Sequence, residues 1–263
     1  MKSLLLIALI TPFTAALADL DLKQVAAEKQ EGAAEFKKRN FGPYVGVYAG
    51  ESFGQKANVT IQGRSFPLQD VSGSALFGIE IGKSWRMKKW PVMFSTRFEG
   101  TFSQTSLAGG IGNFNGGAVT NDVTSYQADM NSLMFTLGGS VSLDLWRYRG
   151  RFGEMTGSPT LGKVLAGFKP YVGAGIGGGQ VWFRNATARS DSQQNHGGAL
   201  APAANPFNID EFINAWHWYA GLEWSWEDRM SIFAEYRDFH FGDMDNMTGF
   251  ESDGYLLGFR YRY

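Results

Sequence analysis

Eight charged residues fall at one parity along extended-looking segments: Glu80, Glu99, Glu223 and Glu235, with Arg97, Arg237, Arg260 and Arg262. Two chemistries are open to such a set. Gathered in a narrow interior the charges pair, because an isolated charge in low dielectric is costly. Facing water, they form the charged constriction of a pore. The even balance of acids and bases gives a pore no selectivity, so a plugged interior is the expectation. The histidines, His196, His217 and His240, are the other groups with chemistry to offer, as bases that activate a hydroxyl nucleophile. Metal binding needs several convergent ligands, and no cluster of such residues is apparent in the sequence. With no cysteine there is no thiolate metal or redox site. The expectation is therefore no catalytic residue, no metal and no cofactor.

The segments that must position these residues alternate at period two, the signal of strands with two different faces. Eight are read, over 43–52, 74–85, 92–103, 132–146, 170–183, 215–226, 231–241 and 255–263. In the third, Val92, Phe94, Phe98 and Phe102 oppose Ser95, Arg97, Glu99 and Ser103. The fifth sets Val172, Ala174 and Ile176 against Tyr171, Gly173, Gly175, Gly177 and Gly179. The sixth sets Trp216, Trp218, Leu222, Trp224 and Trp226 against His217, Tyr219, Gly221 and Glu223, and the last sets Tyr255, Leu257, Phe259, Tyr261 and Tyr263 against Gly258, Arg260 and Arg262. One face is greasy and the other is small or charged. No helical pattern of any length stands out.

Composition agrees with one all-β unit. A chain of 263 residues with 44% hydrophobic content supports one substantial domain. Its net charge of −1 leaves no electrostatic footprint for nucleic acid. Thirty-four glycines beside 15% aromatics is an unusual pairing that tightly curved barrels use. At the start, Lys2, the apolar run 4–16 and the small-x-small sequence Ala16-Leu17-Ala18 read as a secretory signal peptide over 1–18, cleaved before Asp19. A charged polar leader follows over 19–41, and the barrel over 42–263.

The connections alternate too. Turns at 86–91 and 227–230 are short, whereas 55–73, 103–131, 184–214 and 242–254 are long and polar, as expected of short periplasmic turns and long external loops. The connection 147–169 breaks the rule: it lies on the short-turn side, yet is long and glycine-rich. Its Arg147, Arg149 and Arg151 are read as a solvated loop in preference to a contact with anionic headgroups. The polar loop 184–214 is by default solvated; the alternative is that its apolar tail around Phe212 and Ile213 extends a strand or meets a partner.

The two faces choose between a soluble barrel and a membrane barrel. A water-facing wall would carry Lys, Thr and Gln rather than a row of glycines, so the glycine face points inward and the greasy face meets lipid. Trp85, Trp216, Trp218, Trp224, Trp226, Tyr261 and Tyr263 are then the interface aromatics. Lys83 and Asp238 fall on the apolar set near strand ends, where a charge is tolerated.

The closing segment Tyr255-Leu256-Leu257-Gly258-Phe259-Arg260-Tyr261-Arg262-Tyr263, together with Ala234-Glu235-Tyr236-Arg237 and Lys169-Pro170-Tyr171-Val172-Gly173-Ala174-Gly175, resembles the small outer-membrane β-barrel superfamily. That superfamily includes the OmpA membrane domain, OmpX and the opacity-type surface proteins. The resemblance implies a closed antiparallel transmembrane β-barrel of about eight strands, an up-and-down meander in the outer membrane of a Gram-negative bacterium. It also implies lipid and lipopolysaccharide around the wall, assembly machinery that reads the C-terminal strand, a ligand for the external loops, and a monomer. Three functions stand in order: a structural or surface-presenting barrel, a narrow pore, and a lipid A-modifying enzyme. The last is disfavoured because neither His217 nor His240 has the His-x-Ser arrangement that deacylases of this fold carry.

Overall fold

In a computed structural model of the chain, residues 41–61, 64–67, 70–71, 74–110, 123–190, 210–225, 229–244 and 247–263 are described. The expected signal peptide, the leader through residue 40 and Trp226 lie outside them. The strands are β1 (Gly42–Ile61), β2 (Arg64–Pro67), β3 (Asp70–Val71), β4 (Ser74–Arg86), β5 (Val92–Gly110), β6 (Val123–Leu143), β7 (Phe168–Ser190), β8 (Asp210–Ser225), β9 (Met230–Phe241) and β10 (Met247–Arg262). From β4 onward each long strand pairs antiparallel with the next, and β1 pairs with both β4 and β10. Among the described residues eight strands thus close an antiparallel meander barrel, with β2 and β3 as short additions to β1 and β5.

The period-two pattern becomes two surfaces. On the outer wall Ile79, Leu137 and Ile176 are 64%, 62% and 71% exposed, values that no soluble core position would show. Val45, Val47, Phe77, Phe94, Phe98, Phe135, Val172 and Leu257 share that exposure. A closed barrel has no free edge and satisfies its backbone internally, and this one wears a contiguous apolar wall, so its strands span a bilayer.

The inner wall is built on cross-strand pairs of a glycine and a ring. Tyr48 lies opposite Gly78, Tyr219 opposite Gly173, Phe233 opposite Gly258 and Tyr171 opposite Gly221. At Gly221 an added Cβ would stand 2.6 Å from the Tyr171 ring, and at Gly78 it would run into Tyr48. Each ring is seated on the bare backbone across from it. The glycines therefore make room for large side chains in a narrow lumen, which reconciles high glycine content with strand structure.

Much of what read as loop is strand. The β6–β7 ladder continues to Val123 and Ser190, and β5 still pairs with β6 at Gly110 and Ser125. β8 begins at Asp210, opposite Trp182, so among the described residues the end of β7 runs on with β6 alone beside it. β5, β6 and β7 therefore project as a tongue past the start of β8, while on the other side β1 runs on with β10 to Val59 and Met247. The expected loops 103–131, 184–214 and 55–73 are correspondingly shorter, because backbone pairing continues where polar side chains no longer alternate. Ile213 is buried on β8 and Phe212 exposed, so the apolar tail extends the strand.

The long connection 147–169 is helical rather than an open turn. After β6 ends at Leu143, a 3-10 turn over Leu145–Tyr148 leads into α1 (Arg149–Thr156) and α2 (Pro159–Ala166). Gly157, at φ 65°, ends α1 in the left-handed conformation that a Cβ disfavours. Ser158 caps α2, its Oγ accepting from the Leu161 N–H at 3.4 Å, with Pro159 in the first turn. Gly162 lies so close to Gly153 that a Cβ would stand 2.6 Å from the Gly153 Cα. The glycines that suggested a loop are thus the cap and the contact of a helical hairpin.

Candidate functional site

The eight charged residues singled out by parity are all buried in the lumen. Arg97 donates to Glu235 at 2.9 and 3.1 Å and stands 3.5 Å from Glu80 and Glu99. Arg237 is 2.8 Å from Glu99 and donates from Nε to Glu235. Arg260 donates to Glu80 and, at 2.7 Å, to Glu223, which also receives Arg262. The carboxylates and guanidiniums thus alternate along one connected chain from Glu99 to Glu223. Such continuity answers the cost of burying charge, since each group has at least one opposite partner.

The chain has members that parity alone did not single out. Lys169, read as the end of a turn, faces inward from β7 and donates to Glu223 at 2.8 Å. It is a fifth buried cation beside the four arginines that parity singled out, with Asp144 a further buried acid near it. Its inward parity with Tyr171 was the available signal. His217 shares a face with Glu223 but meets Glu99 instead, Nε2 to Oε1 at 2.9 Å, where Thr136 also donates at 2.9 Å. Tyr171 donates to Glu235 at 2.8 Å.

Rings seated on glycines hold the guanidiniums from beneath. Arg97 lies 3.6 Å from the centre of the Tyr219 ring, Arg260 4.0 Å from Phe233 and Arg237 4.6 Å from Tyr48. Glycine, ring, guanidinium and carboxylate stack in that order. Planar arginine suits this layering, with its face on a π-system and its edge toward carboxylates.

Toward the hairpin end the lining changes. Leu76, Leu107, Met130, Met134, Val181, Phe183, Ile213, Phe239, Phe250 and Leu256 are buried there, with hydroxyl pairs such as Ser103–Ser132 at 2.7 Å. Several belong to residues read as external loop. The lumen is filled at both ends, by ion pairs below and apolar side chains above.

On the outer wall, Trp216 is exposed and stacks on His240 with ring centres 3.9 Å apart. Trp218 donates to Asp238 at 2.8 Å, so this outward acid is partnered at its strand end. His240 lies 3.2 Å from Asp238 and 3.5 Å from Glu251. At the short-turn end, Trp85 is exposed 5.7 Å from the Lys83 ammonium, Trp224 packs on Phe168, and Tyr261 accepts from Arg229 at 3.3 Å, with Tyr263 exposed nearby in sequence. Aromatics thus stand toward both ends of the wall.

No protein-family model matches the sequence, and no curated protein matches it. Solved structures similar in architecture include the Neisserial surface protein NspA, at 14% identity over 84% of this chain and 97% of that one, with a TM-score of 0.40. Ail, the attachment invasion locus protein of Yersinia pestis, gives 13% identity over 84% and 99%, with a TM-score of 0.34. OprG from Pseudomonas aeruginosa gives 10% over 86% and 98%, with a TM-score of 0.33. These are likenesses of strand architecture between very different sequences, and nothing of those proteins' properties is carried across.

Proposed function

We propose that the chain is a non-catalytic outer-membrane barrel with a closed lumen, which stabilises the envelope and presents its long hairpins at the cell surface. The observation that carries this reading is the unbroken buried chain from Glu99 through Arg237, Glu235, Arg97, Glu80 and Arg260 to Glu223. An eight-stranded barrel is just wide enough for side chains to fill, and here they do so with their charges spent on one another. An ion crossing the lumen would have to break several pairs at once. His217 is sealed within the same network, so an ester substrate has no route to it.

On this reading the protein is exported through the periplasm, inserted by machinery that reads the C-terminal strand, and sits as a monomer between lipopolysaccharide and phospholipid. Any ligand meets the hairpins. Planar-bilayer recordings of the purified protein should show no steady unit conductance. Regular single-channel steps from wild-type protein would replace this reading with the narrow pore.

A further inference from the structure

At the short-turn end, the α1–α2 hairpin presents a surface that the barrel does not use. Gly162 and Ala166 are buried, and Gly162 packs on α1. The remaining apolar residues of α2, Leu161, Val164 and Leu165, recur at helical spacing and point away from that contact, with Leu161 53% exposed. On α1, Met155 is 76% exposed. Among the described residues nothing covers this apolar cluster, and a contiguous exposed apolar patch marks an interaction surface.

Position and charge identify the cover. α2 runs through Gly167 directly into Phe168, which stacks on Trp224 at the edge of the lipid-facing wall, ring centres 6.1 Å apart. The C-terminal end of α2 therefore abuts the surface already committed to lipid, since a Cβ at Gly167 would stand 3.2 Å from Cδ1 of the Trp224 ring. Around it the described residues are mostly basic: Lys88, Lys89, Arg151 and Lys163 are exposed, against the single exposed acid Glu154 on α1. The hairpin is also fixed in place at its base. Arg147 donates to the backbone oxygens of Met87 and Lys88, and Asp144 holds Arg86 at 2.6 Å and Arg147 at 3.3 Å.

We propose that this hairpin docks on the phospholipid leaflet at the short-turn end of the same bilayer. Leu161, Val164 and Leu165 enter the boundary between headgroups and acyl chains, and the basic flank rests on anionic headgroups. Amphipathic helices with basic flanks bind interfaces in this way, by buried apolar area plus attraction to anionic lipid. The proposal depends on the lipid-facing wall and not on whether the lumen conducts.

The chain contains no cysteine, so single thiols report cleanly. Leu165→Cys and, on α1, Glu154→Cys would carry an environment-sensitive fluorophore in the full chain. The protein would be inserted in phosphatidylcholine bilayers with and without phosphatidylglycerol, and heat-modifiable gel mobility would verify each barrel. Spin-labelled lipid should quench the Leu165 probe and aqueous iodide should not, with the reverse at Glu154. Phosphatidylglycerol should strengthen the contrast, and Arg151→Gln with Lys163→Gln should lower the docked-to-undocked ratio roughly fivefold per charge. Equal iodide quenching at both positions in both bilayers would overturn the proposal. So would a Leu165 probe shielded equally in bilayer and detergent that becomes exposed when residues 19–40 are removed, because the leader would then be the cover.

Discussion

The two ends of the lumen are filled by opposite means. Below, near the short turns, Glu223 takes up Lys169, Arg260 and Arg262 at once, and the charges there meet opposite charges, rings and a few hydroxyls such as Thr136 and Ser231. Above, Leu107, Met130, Phe183 and Phe250 fill the same cylinder with apolar volume. The first arrangement is specified by partner and the second by shape. A change below leaves a charge without its counterpart, whereas a change above leaves a void. The two halves should therefore differ in how a defect can be repaired as well as in what it costs.

The largest effect is expected at Glu223. Glu223→Gln leaves Lys169 and Arg262 without their acid while Arg260 keeps Glu80, and breaking a buried pair from one side costs about 3–5 kcal/mol. The urea midpoint of the barrel in detergent micelles, followed by tryptophan fluorescence, should fall accordingly. Adding Lys169→Met should return part of the loss, since the second change removes a charge that the first left unpaired. Purely additive losses would show that the two side chains touch without depending on each other.

Leu107→Ala tests the upper half. Deleting a fully buried leucine side chain costs about 2–4 kcal/mol through lost transfer energy and the cavity left behind. No neutralising partner can rescue it. Combined with Glu223→Gln, its effect should add within about 0.5 kcal/mol if the halves are independent. A clear departure from additivity would break the comparison and make the lumen one cooperative unit.

A smaller effect is expected where ring and glycine meet. Gly78→Ala drives a methyl into Tyr48, and overpacking of this kind costs about 1–3 kcal/mol. The penalty should shrink in a Tyr48→Leu background, although Tyr48 also bonds Thr101 at 2.5 Å and lies under Arg237. Measured by the same urea midpoints, an undiminished penalty would mean that backbone rather than the ring limits the site.

How much of this was legible in the sequence follows from what alternation encodes. Period two separates faces wherever one face is committed to lipid, and the positions of Ile79, Leu137, Ile176 and the eight lumen charges could be read directly from it. It carries no information about which charges meet, so the pairing of His217 with Glu99 rather than Glu223 needed the barrel's closure. Alternation also fails where both faces are apolar or both polar. Val181, Phe183 and Ile213 turn inward beyond the charged zone, and the tongue of β5, β6 and β7 continues as backbone ladders where the side-chain alternation has lost its contrast. The hairpin α1–α2 was hidden for another reason. Its glycines at 153, 157 and 162 act as contact and cap, and a composition argument weighs them all as loop formers.

The smallest effect on stability should come from the connection between β7 and β8, which lies outside the described residues over 191–209. Because β7 passes β8 by the length from Phe183 to Ser190, the chain must travel back roughly 26 Å to reach Asp210, at about 3.3 Å for each extended residue. Ten residues can span that distance and a two-residue turn cannot. Halving the connection to ten residues should change stability by only about 0.6 kcal/mol, the weak logarithmic dependence of loop closure on length. Heat-modifiable mobility should persist. An epitope placed in the full-length connection should be cleaved by protease on intact cells, while one in the 19–41 leader should be protected. The reverse pattern would invert the barrel's orientation, place the tongue in the periplasm and remove the surface-presentation reading, while leaving the contrast between the two halves of the lumen untouched.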